Sequence, residues 1–268
     1  MQRIRVGNVE VAALVDNVQA YPAPAVYTGA GDALNDYKHY LNEDGAGVLN
    51  FGCFLLRDGN MTVLVDTGWG PEMQGKLPEE LAAAGVGPGE VDQVLFTHLH
   101  GDHTGWNIDR ATGKPLFAKA TYLVPGADWA HYSRQAPPPE SFTRDVEPLS
   151  KLGCMELFEG ERQLSSSLTA VPTPGHTPGH TSVAISSGAA KGFILGDVVL
   201  SPIDAEEPDF QNSFDWDHEI ARTTRLRMLA QLSGDGSIVG ASHLPPPGLG
   251  RFVKDGTKTR WQPEPAGS

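Results

Sequence analysis

The sequence predicts an α/β protein in which two β-sheets pack face to face and carry their helices on the outside. Two observations lead there. Short apolar runs of strand length recur around helical stretches in both halves of the chain, and an apolar sheet face must be covered by another layer. The 31 glycines and 21 prolines are scattered, which divides 268 residues into many short elements within one compact unit. One domain over residues 1–268 is therefore the expectation. With 40% hydrophobic and 8% aromatic residues there is ample material for a core, and global disorder or a coiled coil is excluded.

The elements follow in order. Residues 3–15 alternate as two short strands around a Gly7-Asn8 turn, and residues 48–56 and 61–65 form a hairpin across Asp58-Gly59-Asn60. Between them residues 17–46 read as irregular, with Tyr21, Tyr27, Tyr37 and Tyr40 set among Gly, Pro and Asp in a lid or surface excursion. Residues 77–84 are helical and stop at Gly85, after which residues 91–97 form a buried strand that enters a histidine-rich loop. A strand at 120–124, a helix at 127–134, the breaker Ala136-Pro137-Pro138-Pro139 and a helix near 144–152 come next. Strands are expected at 155–158, 168–171, 182–186 and 192–195. A helix over 217–232 is capped by Asp217 and stopped at Gly234.

Composition narrows the function. Thirty-three acidic against 20 basic residues leave a net charge of −13, which argues against nucleic acid as a partner because phosphate affinity needs clustered Lys and Arg. Cys53 and Cys154 cannot make a disulfide framework and read as buried packing. Polar residues interrupt the first ten positions before a signal-peptide core could form, and no apolar run reaches the roughly 18 residues of a membrane span. A cytoplasmic protein that does not enter the membrane is expected.

The chemistry concentrates in Thr97-His98-Leu99-His100-Gly101-Asp102-His103-Thr104-Gly105, which sets four metal-competent side chains within six residues. On an extended backbone side chains return to one side every second residue, so His98 and His100 can share a cation. Past the flexible Gly101, Asp102 and His103 can turn toward another. Imidazole and carboxylate are the donors that borderline cations such as Zn²⁺ select. More donors recur later, with His176 and His180 in Pro174-Gly175-His176-Thr177-Pro178-Gly179-His180, Asp197 closing one apolar strand and His243 another. A carboxylate that ends a buried strand is costly unless it is paired or metal-bound.

In this order Asp66-Thr67-Gly68, His98-x-His100-x-Asp102-His103, His176, Asp197 and His243 resemble the five-motif signature of the metallo-β-lactamase superfamily. The resemblance spans residues 66–243 and implies a four-layer αββα sandwich with a dinuclear site at one edge. Carried over position by position, it implies that His98, His100 and His176 hold one metal, that Asp102, His103 and His243 hold the other, and that Asp197 bridges them. Asp66 would orient the ligand loop, and His180 would support its turn rather than bind metal. His39, His131 and His218 stand outside every motif and are assigned no role.

Two divalent cations about 3.5–4 Å apart lower the pKa of a shared water toward roughly 7. The expected reaction is attack of a metal-bridging hydroxide on a carbonyl or phosphoryl centre, with Asp102 or Asp197 passing the proton to the leaving group. Zn²⁺ is the expected metal, and Mn²⁺, Fe²⁺ or Co²⁺ can take the same donors.

The segments Gly196-Asp197-Val198-Val199-Leu200-Ser201-Pro202 and His243-Leu244-Pro245-Pro246-Pro247-Gly248 look like the branch that holds acyl-homoserine lactonases and methyl-parathion-hydrolase-like enzymes. That resemblance implies a lactonase or esterase, with an aryl phosphotriesterase and a non-catalytic metal-binding module as alternatives. Lactonases of the branch carry a Tyr three residues after the bridging Asp; here Leu200 stands there, which leaves Tyr27 or another aromatic residue for the role. Trp69, Trp106, Phe210, Phe214 and Trp216 lie near the motifs and read either as pocket walls for an acyl chain or aryl group or as core. The acidic surface favours a small neutral ester, lactone or triester. Residues 17–46 or the apolar hairpin could join two copies as a homodimer.

Overall fold

A computed structural model describes residues 1–265. The first half lays down β1 (Gln2–Val6), β2 (Val9–Pro22), β3 (Tyr27–Thr28), β4 (Ala46–Asp58), β5 (Met61–Val65), β6 (Gln93–Leu95), β7 (Thr121–Pro125) and β8 (Met155–Phe158). The second adds β9 (Arg162–Gln163), β10 (Leu168–Pro172), β11 (Thr181–Ser187), β12 (Ala190–Ile194), β13 (Gln211–Asn212), β14 (Ile238–Gly240), β15 (Leu249–Asp255) and β16 (Lys258–Pro263). They form two seven-stranded sheets, ordered β1-β2-β4-β5-β6-β7-β8 and β16-β15-β14-β12-β11-β10-β9, while β3 and β13 pair by themselves. Both large sheets are mixed, with β5 through β8 parallel in the first and β12 parallel to β14 in the second.

Side-chain alternation along the strands makes the layers. Phe54, Leu56, Val63 and Val65 point inward and meet Leu168, Val183 and Ile194 of the opposite sheet. Their neighbours Cys53, Leu55 and Leu64 point outward onto Leu77, Leu81, Phe142 and Leu149 of the outer helices. On the far side Phe193, Val239 and Phe252 pack under Met228, Leu229 and Leu232 of the helix His218–Asp235. Helix, sheet, sheet and helix give the expected αββα sandwich. Strands buried on both faces read as continuous apolar runs, which is why residues 48–56 and 61–65 were legible.

Four expectations need correction. Residues 17–22 are not irregular: β2 continues to Pro22 and pairs with β4 down to Ala46. A register shift between Val15 and Asn17 breaks the two-residue period there, so side-chain pattern hides a strand that its backbone ladder maintains. The last helix runs through Gly234 to Asp235, because the left-handed position (φ 66°) that demands glycine belongs to Gly236. The helix near 144–152 is a π-turn over Phe142–Val146 leading into Glu147–Lys151. Residues 91–97 contribute only three residues to β6, because Thr97 and the residues after it turn away to build the site. The hairpin of β15 and β16 was not anticipated, since Arg251, Lys254, Lys258 and Arg260 mask its alternation.

Candidate metal centre

The residues after the carboxyl ends of β5, β6, β12 and β14 converge, as open α/β sheets bring ligand sites to that end of their strands. Asp66 follows β5 and His98 follows β6; Asp102 and His103 lie in the helical turn Gly101–Thr104. Asp197 follows β12 through Gly196, whose φ of 58° and lack of side chain are both required: a Cβ there would stand 2.8 Å from His180 Nε2 and from Thr97 Cβ. His243 follows β14, and His176 lies in the turn between β10 and β11.

All seven expected donors come together, in two groups: His98, His100, His176 and Asp197, and Asp102, His103 and His243. In the first, His100 Nδ1 lies 3.0 Å from His98 Nε2 and 3.1 Å from His176 Nε2. In the second, Asp102 Oδ2 lies 3.5 Å from His103 Nε2 and 3.4 Å from His243 Nε2. Asp197 reaches both, with Oδ2 3.3 Å from His176 Nε2 and Oδ1 3.4 Å from His103 Nε2. Donors about 2.1 Å from a common tetrahedral cation lie roughly 3.4 Å apart, so these spacings fit metal ions. A second observation agrees: His103 Nε2 and Asp197 Oδ1 are buried without a hydrogen-bond partner, an unfavourable state that a cation relieves.

The other nitrogen of four of the five rings, those of His98, His103, His176 and His243, is held. His103 Nδ1 donates to Asp66 Oδ2 at 2.8 Å, His176 Nδ1 to Asp215 Oδ1 at 3.1 Å and His243 Nδ1 to the Asn50 carbonyl at 2.7 Å. His98 Nδ1 donates to Thr97 Oγ1, which in turn donates to Asp66. Such bonds fix the tautomer and leave the opposite nitrogen free to coordinate. Electrostatics divides the two groups. Burial pushes His98 well down and His100 to about 3, so both are neutral donors. Burial also disfavours the charged forms of His103 and His243, but the carboxylates of Asp197 and Asp102 outweigh it and push both up. His180 is not in either group. Its Nε2 accepts the Asp197 backbone N–H at 2.9 Å and Nδ1 bonds Thr173, so it shapes the turn that presents Asp197. His39, His131 and His218 lie outside both groups.

Three positioning residues had no sequence signal. Asp128 accepts from Leu99 N, Gly179 N and Thr177 Oγ1, pinning two ligand loops with one buried carboxylate. Asp215 takes His176, and Arg225 takes Asp215 at 3.0 Å while its Nε donates to the Val198 carbonyl. None lies in a motif; each is recognised only by what it touches.

Five of the seven expected donors, His100, Asp102, His176, Asp197 and His243, line a cavity of ≈ 260 Å³ whose other walls include Tyr21, Phe51, Trp69, Leu200 and Phe214. Trp69 and Phe214 are thus walls, whereas Trp106 packs into the outer core and donates to Asp16, Phe210 packs on Tyr27, and Trp216 is half exposed. Tyr27 does not reach this cavity: it is buried, with its hydroxyl paired to Ser201 Oγ at 2.7 Å. The tyrosine that lines it is Tyr21, brought there by the part of β2 that the sequence left irregular.

The family model described as the Metallo-beta-lactamase superfamily matches residues 52–243, a range that includes all seven donor positions and Asp66. The chain belongs to the metallo-β-lactamase superfamily. Within it, the chain is 28% identical over 187 residues to human metallo-beta-lactamase domain-containing protein 1, covering 69% of this chain and 58% of that one. The Xenopus laevis protein of the same name is 33% identical over 150 residues, 56% of this chain and 52% of the relative. The chain thus spans about half the length of the curated relatives it matches. Among solved superfamily structures, the hydrolase AbOPH superposes with a TM-score of 0.88 at 25% identity, covering 100% of this chain and 98% of that one. AidC, a dizinc quorum-quenching lactonase in complex with an N-hexanoyl-L-homoserine product, superposes with a TM-score of 0.85 at 25% identity and the same coverage.

Proposed function

We propose that this protein is a dinuclear zinc hydrolase of neutral lactones and carboxylic esters. The observation that carries the reading is Asp197, shared between two donor groups on the floor of a largely apolar cavity. In this reading His98, His100 and His176 hold one cation, Asp102, His103 and His243 the other, and Asp197 serves both. Bound cations there supply an activated water and an electrophile for the carbonyl oxygen. Asp102 is the more exposed of the two carboxylates, at 16% against 3% for the Asp197 side chain, and it lines the cavity. It is therefore placed to accept a proton and return it to the leaving alcohol, while Asp197 remains a shared ligand. Phe51, Trp69, Leu200 and Phe214 exclude water around a neutral acyl group, and the net charge of −13 disfavours anionic substrates in the same sense. The likeness to AidC supports a lactone. Two free cysteines suit a reducing compartment such as the cytoplasm.

The test is kcat/KM of the zinc-reconstituted protein on matched acyl lactones and aryl phosphotriesters, with a chelated control. The expected result is about 10⁴ M⁻¹s⁻¹ or more on a lactone, abolished by chelation. Asp197→Asn should bind fewer than two zinc ions per chain and lose activity by about 100-fold or more. A chelator-sensitive preference for triesters would reassign the substrate, and full zinc binding without turnover would make the chain a metal-binding module.

A further inference from the structure

Trp69 follows directly on Asp66-Thr67-Gly68 and walls the metal cavity together with Tyr21, Phe51 and Asp102. Its ring packs on Phe51 with centroids 5.2 Å apart, and Phe51 packs edge-on against the His243 imidazole at 5.0 Å. The backbone that carries this ring is held by Asp16, a fully buried residue of β2 that does not itself line the cavity. We propose that Asp16 is a positioning residue: it fixes the Trp69 wall, and through that wall it sets how tightly the cavity holds a neutral substrate. This rests on the hydrolase reading above and adds to it a residue outside the cavity.

One carboxylate ties two loops together. Asp16 Oδ2 accepts the Trp69 backbone N–H at 2.7 Å, while Oδ1 accepts the Leu77 N–H at 2.8 Å and the Trp106 indole N–H at 2.9 Å. The Lys76 N–H closes the same loop on the Asp16 carbonyl, also at 2.9 Å. Glycines make room for the carboxylate on both sides. A Cβ on Gly68, whose φ of 66° already demands glycine, would stand 2.4 Å from Asp16 Cγ, and one on Gly75 would stand 2.5 Å from both carboxylate oxygens. Burial pushes the Asp16 carboxyl above its ordinary value, and the N–H bonds from Leu77, Trp106 and Trp69 oppose that push. A carboxylate sealed from water is tolerated only when its oxygens are hydrogen-bonded, so the loop and Asp16 hold each other. The division of donors between the two oxygens gives the test. An amide offers one acceptor oxygen and one NH₂ group. In Asp16→Asn the oxygen stays where two donors point, at the Oδ1 position, which turns the NH₂ toward the Trp69 N–H and breaks that bond.

Acetophenone carries a carbonyl and an apolar ring but cannot be hydrolysed. Its affinity for the zinc-reconstituted full chain, read by ligand-observed NMR, tests the wall without turnover. Asp16→Asn and Trp69→Ala, both checked for zinc content and circular dichroism, should each weaken binding about threefold to tenfold. The double variant should bind no more weakly than Trp69→Ala alone, because both changes remove the same wall. In fluorotryptophan-labelled protein, the fluorine NMR signal that Trp69→Phe lacks should shift in Asp16→Asn, while that of Trp261 in β16 of the other sheet stays in place. On phenyl acetate Asp16→Asn should raise KM by the same factor as it weakens the ketone and move kcat less than about twofold. Should Asp16→Asn fail to fold, Gly75→Ala crowds the carboxylate without changing its charge and should give the same ketone affinity. Additive losses in the double variant, zinc lost from Asp16→Asn, a loss confined to kcat, or an unchanged ketone affinity in either variant overturns the assignment. A chain that hydrolyses no ester yet shows the non-additive ketone profile loses the hydrolase reading and keeps Asp16 as the residue that holds the wall, so the two failures are distinct.

Discussion

His176 owes its orientation to two residues that never touch the cation site directly. Its Nδ1 donates to Asp215, and Asp215 is paired with Arg225, one of the largest fully buried side chains in the molecule. Burial alone would raise the Asp215 carboxyl, but the His176 hydrogen bond and the Arg225 charge hold it below the ordinary carboxylate range. Asp215→Ala would strand a buried guanidinium and free the imidazole at once. The expected outcome is a loss of about 3–5 kcal/mol in urea unfolding and a 10- to 100-fold weaker zinc affinity by chelator competition. Undiminished zinc affinity in a folded variant would show that His176 is held by its turn alone.

At the scale of elements, the helix His218–Asp235 and the His176 turn are built as one piece. Asp217 caps the helix by accepting from Glu219 N and Ile220 N, both at 3.0 Å, while its own N–H donates to the Gly175 carbonyl and the Trp216 N–H to that of His176. Gly175 has a φ of 132°, and a Cβ there would stand 2.2 Å from Ala221 N, so the turn packs directly on the first helical turn. Asp217→Ala should cost about 1 kcal/mol of global stability. It should also speed amide exchange at residues 175–177 more than in β10 or β11, and uniform acceleration would contradict the coupling.

At the scale of the whole molecule, the two sheets are joined by a shared apolar core and by polar bonds at its edge. Asp58, at the β4–β5 turn of the first sheet, accepts from Ser165, Ser166 and Ser167 before β10 of the second. Those bonds hold its carboxyl below the ordinary value, and Lys119 does the same for Asp92. A carboxyl lowered in the folded state contributes stability that is complete above its unfolded value and is lost as the pH falls through its folded one. Thermal stability should therefore decline below about pH 4, and Asp58→Asn should flatten that decline in a melting series from pH 6 to 2. Metal acts on the same balance. Zinc at about 100 times its Kd should raise Tm by roughly 5 °C or more over chelated protein, reversibly, and an unchanged Tm would mean that no ion binds the folded state preferentially.

How much was legible follows from what each feature requires. Metal donors must be His or Asp whatever surrounds them, so all seven stood out in order along the chain, and the structure gathers them into two groups. Strands buried on both faces must be apolar throughout, so β4, β5 and β12 could be read directly. Asp128, Asp215 and Arg225 carry no pattern, because their roles arise from contacts 49, 39 and 10 positions away along the chain. Tyr21 was seen only as one aromatic among several, since the irregularity near Asn17 conceals the strand that delivers it to the cavity.

By itself the sequence determined the layer architecture, the donor chemistry and, through its motif order, the expected division of the donors around Asp197. Only the tertiary structure decided which buried residues hold the donors in place and which tyrosine enters the cavity. Those depend on how distant segments stack, and long-range packing is set by the sum of many side-chain volumes and ladder registers that no single stretch of chain records.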